Sequence, residues 1–101
     1  MTNAPLNSND IATALTQLPD WNANPDNTAI HRQFKFKTFK SAFAFMTMAA
    51  MKAEQMDHHP EWANVYNKVD VTLTTHDASG LTQLDITLAA FMDKTAAGMS
   101  H

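Results

Sequence analysis

Ile30-His31-Arg32-Gln33-Phe34-Lys35-Phe36-Lys37-Thr38-Phe39-Lys40 is the stretch in which the hydrophobic period of the chain changes. Before Thr38, Phe34 and Phe36 alternate with Lys35 and Lys37, as in a strand with one face in the core and one in water. With Ile30, this predicts a strand over residues 28 to 37. Thr38 is a suitable helix cap, and beyond it Phe39, Phe43, Met46, Ala50 and Ala53 recur at helical spacing while Lys40, Thr47 and Glu54 are polar. A long helix therefore follows the strand, and this apolar side is expected to cover the sheet. Met46, Met48, Met51 and Met56 read as gap-filling core on the same helix.

On the N-terminal side, residues 1 to 7 are small and polar and are expected to be frayed. Ser8 can cap a short helix with Ile11, Leu15 and Leu18 on one face, ended by Pro19. Pro25 and the asparagines around it predict a hairpin through residues 24 to 28. On the C-terminal side, Pro60 disfavours helical geometry at His59 and lacks an N–H, so the long helix should stop within Gln55 to His58. Val69, Val71 and Leu73 then alternate with Asp70, Thr72 and Thr74, giving two short strands or one bent strand around an Asn67-Lys68 turn. After a turn from Asp77 to Gly80, Thr82 opens a last helix with Leu84, Leu88 and Phe91 on one face and Gly98 at its end. The order α-β-β-α-β-β-α predicts an α+β, two-layer sandwich: a four-stranded antiparallel sheet with helices on one face.

The 101 residues suit one domain, over residues 8 to 101, and the 45% hydrophobic share can support a core that self-association would reinforce. Net charge is -3 and the seven Lys and Arg are scattered, so there is no nucleic-acid footprint. The absence of cysteine excludes disulfides and thiolate metal sites, and the start of the chain lacks the pattern of a signal peptide. No apolar run reaches the length of a membrane span; even Ala42 to Ala53 carries Thr47 and Lys52. A cytoplasmic location is expected.

Three of five histidines lie beside strong turn signals: His58 and His59 before Pro60, and His76 at a strand end. Imidazoles titrate near cellular pH, so a group of three suggests proton transfer. A helix C-terminus at His58 favours its protonated form, and Glu54, four residues earlier, would share its face and orient the ring if the helix ran on. Asp85 follows Thr82 by three residues, the spacing of a capping box, and from spacing alone is read as a cap. Trp62 and Tyr66 are suited to stacking on a flat heterocycle, although bulky aromatics next to a strand are more often packing. Glu54, His58, His59 and His76 are all acceptable zinc or iron ligands, although adjacent histidines seldom aim at one ion.

The run Ala53-Glu54-Gln55-Met56-Asp57-His58-His59-Pro60-Glu61-Trp62, followed by Asn64-Val65-Tyr66-Asn67-Lys68-Val69, resembles the signature region of the pterin-4a-carbinolamine dehydratases. The resemblance continues through Thr74-Thr75-His76, Gly80-Leu81-Thr82 and Asp85-Ile86-Thr87-Leu88-Ala89, covering roughly residues 53 to 92. Gln55 departs from it, since many relatives carry lysine there, but it lies outside the histidine set. The N-terminal half matches in layout only, through Trp21 and the Phe-rich helix.

The resemblance implies an α+β sandwich assembled as a homodimer or homotetramer. It implies dehydration of 4a-hydroxytetrahydropterin to quinonoid dihydropterin, in tetrahydrobiopterin recycling, with neither metal nor organic cofactor. It makes His58 and His76 the acid and base candidates, with His59 holding the pterin and Glu54 or Asp85 supporting the rings. Asp57, Trp62, Thr74, Thr75 and Asp77 would join the histidines in binding substrate. Animal relatives also serve as dimerisation cofactors for a homeodomain transcription factor, so a non-catalytic, pterin-binding or interaction role is the alternative the resemblance carries.

Overall fold

The structure is a computed structural model and describes residues 4–99. Helix α1, Ser8–Leu15, is capped by Asn7, whose side chain accepts from the Asp10 N–H at 2.8 Å. The expected cap, Ser8, is instead the first helical residue. Asn7 has the extended backbone a cap requires (φ -83°, ψ 173°) and caps as well as serine does. The helix ends at Leu15, ahead of Leu18 and Pro19, and Leu18 enters the core from the following turn. Of the stretch expected to be frayed, residues 1 to 3 lie outside the described residues. Leu6 donates its N–H to the Leu81 carbonyl at 2.8 Å and packs on the core.

Strands β1 (Asn22–Ala23), β2 (Ile30–Lys35), β3 (Glu61–Val65) and β4 (Lys68–Leu73) form one antiparallel sheet in the order β1-β2-β4-β3. The Ala23 to Ile30 connection is held by Asn24, whose side-chain oxygen accepts from the Thr28 and Ala29 N–H groups. Strand β2 is shorter than its alternation suggests, because Phe36 leaves the ladder to exchange bonds with Asn67: its N–H donates to the Asn67 carbonyl and its carbonyl accepts from Asn67 Nδ2. The β3–β4 turn is Tyr66-Asn67, one residue earlier than expected, with Tyr66 at φ 52°. Register places Ile30, Phe34, Val69, Val71 and Leu73 on the buried face, and His31, Gln33 and Lys35 on the exposed one.

Helix α2, Phe39–Met56, begins at the predicted Thr38 cap and lies against the sheet beside α3, Gln83–Ala97. Its buried side is Ala42, Phe45, Ala49 and Ala53; of the expected stripe Ala53 is buried and Met46 packs half-buried on the core, as does the expected gap-filler Met56. Phe39, Phe43 and Ala50 face water, as do Met48 and Met51, which were expected in the core; Phe43 is 56% exposed and Met51 68%. Both stripes are apolar, so periodicity does not choose between them. The three small alanines choose, by letting the helix backbone approach its neighbours while Phe45 fills the space beside Phe34 and Phe36 at centroid distances of 4.7 and 5.0 Å. This is the predicted α+β sandwich in the predicted order, with the long helix turned on its axis.

Candidate active site

Helix α2 stops at Met56, inside the predicted window, through a left-handed residue, Asp57 (φ 53°, ψ 43°). The Asp57 N–H donates to the Glu54 carbonyl and the His58 N–H to the Ala53 carbonyl, the paired bonds of a Schellman ending. That geometry reverses the chain and places His58 in the position whose side chain folds back on the helix. His58 is buried, and its Nε2 lies 2.6 Å from Oδ1 of Asp85, in the first turn of α3. The Glu54–His58 pairing expected from the four-residue spacing does not form, because the helix ends before His58. Glu54 meets His59 instead, at 2.9 Å.

Asp85 is fully buried and performs two tasks at once. It completes the predicted capping box with Thr82 by accepting from the Thr82 N–H at 2.9 Å through Oδ2. Its other oxygen meets His58. Thr75 Oγ1 also donates to Oδ2, at 2.7 Å, so three hydrogen bonds converge on one carboxylate. Among the described residues no buried side-chain polar atom lacks a partner, which is what makes so polar a cluster tolerable in the interior.

After β4 the chain forms a tight loop closed by Thr75 and Gly80, which exchange backbone bonds, with a short 3₁₀ turn over His76–Ala78. His76 projects outward from this loop, and its Nε2 lies 2.7 Å from Oε2 of Glu61 at the start of β3. Each of the three histidines thus has its own carboxylate: Asp85 for His58, Glu54 for His59 and Glu61 for His76.

All three rings line one cleft of about 650 Å³, together with Asp57, Thr74, Thr75 and Asp77, over an apolar surface from Met56, Ala78 and Leu84. That volume is in the usual range for a small-molecule site. The structure therefore gathers the predicted His58, His59, His76, Asp57, Thr74, Thr75 and Asp77 around one space, with Glu54 and Asp85 behind the rings. It does not bring Trp62 there: on β3, opposite Val71, its side chain is half-buried against the core. Tyr66 sits exposed at the hairpin tip. The Thr74 hydroxyl is taken by the Thr28 carbonyl at 2.6 Å.

Two residues of this arrangement escaped the sequence reading. Glu61 gives no signal, since nothing in the chain links it to His76. Thr82 was visible, but only as a cap. Among the described residues no three His, Cys, Asp or Glu side chains are placed to hold a metal ion, consistent with each ring being turned to a separate carboxylate. A larger concavity, about 800 Å³, lies between β2 and the end of α3. It contains no histidine, and its Arg32 and Asp93 neutralise one another at 2.6 Å. The histidine cleft is the one equipped for proton transfer.

Residues 4–95 match the family model described as pterin 4 alpha carbinolamine dehydratase. A Burkholderia multivorans protein bearing the name pterin-4-alpha-carbinolamine dehydratase is 56% identical over 92 residues, spanning 91% of this chain and 90% of its own. A similarly named Bordetella avium protein is 54% identical over 88 residues, covering 87% of this chain and 82% of that one. Among solved structures, a transcriptional coactivator/pterin dehydratase from Brucella melitensis superposes with a TM-score of 0.88 at 49% identity, over 91% of this chain and 98% of that one. A pterin dehydratase-like protein identified as a RuBisCO assembly factor in the alpha-carboxysome shares the fold, with a TM-score of 0.68 at 22% identity over 81% of this chain and 93% of that one. The cleft with its three histidines stands within the matched region, and the chain belongs to the pterin-4-alpha-carbinolamine dehydratase family.

Proposed function

We propose that the protein is a hydro-lyase that removes water from 4a-hydroxytetrahydropterin to give quinonoid dihydropterin, serving tetrahydrobiopterin recycling in the cytoplasm. The observation that carries this reading is the convergence of three imidazoles, from two separate stretches of chain, on one cleft of bicyclic-ligand size. Family membership supplies the substrate class.

Hydroxide is a poor leaving group. As the C4a–O bond breaks, one group must protonate the departing oxygen while another accepts the proton shed by the ring nitrogen whose lone pair forms the new double bond. His58 and His76 divide the acid and base roles between them, both lining the cleft with the Thr74 to Asp77 segment and Asp57. His59 holds the pterin, and Glu54, Glu61 and Asp85 orient the rings. Asp57 and Asp77, with backbone groups of Thr74 and Thr75, meet the amide-like edge of the substrate. Positioned acids and bases contribute about a hundred- to ten-thousandfold, enough for a reaction that already proceeds in water, and no metal or organic cofactor is required.

Purified protein mixed with a synthetic 4a-carbinolamine should accelerate dehydration, followed by absorbance. His58→Ala and His76→Ala should each lower the rate by roughly a hundredfold or more. Near-normal rates in both variants would overturn the assignment.

A second reading, an interaction role, is favoured by the exposed α2 side bearing Phe39, Phe43 and Met51. In this reading the surface receives a second copy of the chain, giving a homodimer or homotetramer compatible with catalysis. The scattered basic residues support no direct nucleic-acid contact.

A further inference from the structure

Behind His58 lies a chain of hydroxyl groups whose hydrogen-bond direction can be assigned by counting protons. The Thr82 hydroxyl is fully buried and accepts from the Leu84 N–H at 3.2 Å, and it lies 2.8 Å from the hydroxyl of Thr75. Thr75, 9% exposed, donates its single hydroxyl proton to Asp85 Oδ2. It has none left for Thr82, so the bond between the two threonines runs from Thr82 to Thr75. The direction is then continuous: Leu84 N–H to Thr82, Thr82 to Thr75, Thr75 to Asp85. The Thr82 N–H adds a second donor to the same Asp85 oxygen.

With Oδ2 accepting twice, Asp85 Oδ1 is left for the imidazole, 2.6 Å away. A carboxylate held in this way receives its bond from a ring N–H, which fixes the proton of His58 on Nε2. Nδ1, which has no partner among the described residues, becomes the ring nitrogen available to substrate.

We propose that Thr75 is a positioning residue, which acts through Asp85 to hold His58 as its Nε2–H tautomer with Nδ1 as the reacting nitrogen, and that Thr82 sets the direction of that chain. Thr75 lines the cleft, but its hydroxyl is committed inward, so its contribution through that group is to the imidazole rather than to the pterin. The kinetic part of this inference rests on the dehydratase reading. The tautomer does not.

Thr75→Val keeps the shape of the side chain and deletes the proton that Asp85 receives; Thr75→Ser restores it. With the carbinolamine as substrate, Thr75→Val should lower kcat by roughly 10- to 100-fold, the scale of a misaligned catalytic group, with KM within about twofold. Thr75→Ser should return kcat to within about threefold of the parent. Nitrogen-15 NMR of the His58 ring should show the Nε2–H tautomer in the parent and the Ser variant, and a mixture of tautomers in the Val variant. Thermal unfolding identifies any variant that fails to fold; should Val do so, Thr75→Ala is read in its place. A parent protein with the proton on Nδ1 would overturn the proposal whatever the kinetics. So would a Val variant with unchanged kcat, or one whose only change is a raised KM, which would make Thr75 a substrate contact. A parent with the Nε2–H tautomer and no turnover would defeat the dehydratase reading and leave the arrangement of His58 standing.

Discussion

Replacing Asp85 by Ala would strand three buried donors at once: the His58 ring, the Thr75 hydroxyl and the Thr82 N–H. Each unpaired buried group costs about 1–3 kcal/mol, so Asp85→Ala should destabilise the fold by roughly 3 kcal/mol or more, measured by urea unfolding, besides removing activity. Glu54→Ala, which frees only an exposed pair with His59, should change stability by about 1 kcal/mol or less. The contrast shows what the sequence discloses about individual residues. The Thr82–Asp85 spacing announces the cap, which is local. The bond to His58 spans 27 positions and depends on where two helices meet, so it is legible only in three dimensions. Glu61 is a plainer case, an acid with no local reason to attract notice until the fold carries His76 to it.

At the level of elements, the ending of α2 positions the first histidine pair. Asp57 occupies a left-handed conformation that glycine adopts without strain and other residues adopt at a cost. Asp57→Gly should therefore raise thermal stability, by a few tenths to about 1 kcal/mol, yet lower substrate affinity, because the carboxylate that lines the cleft is lost. A variant with improved stability and unchanged KM would remove Asp57 from the binding surface. The stop itself was legible, since Pro60 forbids continuation and leaves only a short window. The face of the helix was legible only in part, through Ala53 and Met46. Alanines score weakly in any hydrophobic pattern, and the phenylalanines that suggest a buried stripe, Phe39 and Phe43, are the ones left in water, 5.9 Å apart.

For the whole molecule, those uncovered rings leave α2 with a second apolar side. A chain of 101 residues buries a smaller share of its surface than a larger domain does, and covering a second apolar side adds stability that one small core lacks. Phe43→Glu should shift light scattering toward the mass of a single chain while circular dichroism stays unchanged; an unaltered mass would exclude this side of α2 from assembly. Element order and layering followed from periodicity and turn residues because those are local signals repeated along the chain. Which apolar side meets the sheet, and what covers the other, depends on volumes summed over the entire interior. The leading segment also acts at this scale. Its Leu6 amide is tied to the carbonyl of Leu81, next door to the threonine that begins α3. Leu6 thereby moors the segment ahead of α1 to the residue that leads into the Thr82–Asp85 cap. That amide should exchange with deuterium slowly although it belongs to no helix or strand, and deleting the first six residues should quicken exchange at Thr82 and loosen its hold on Asp85.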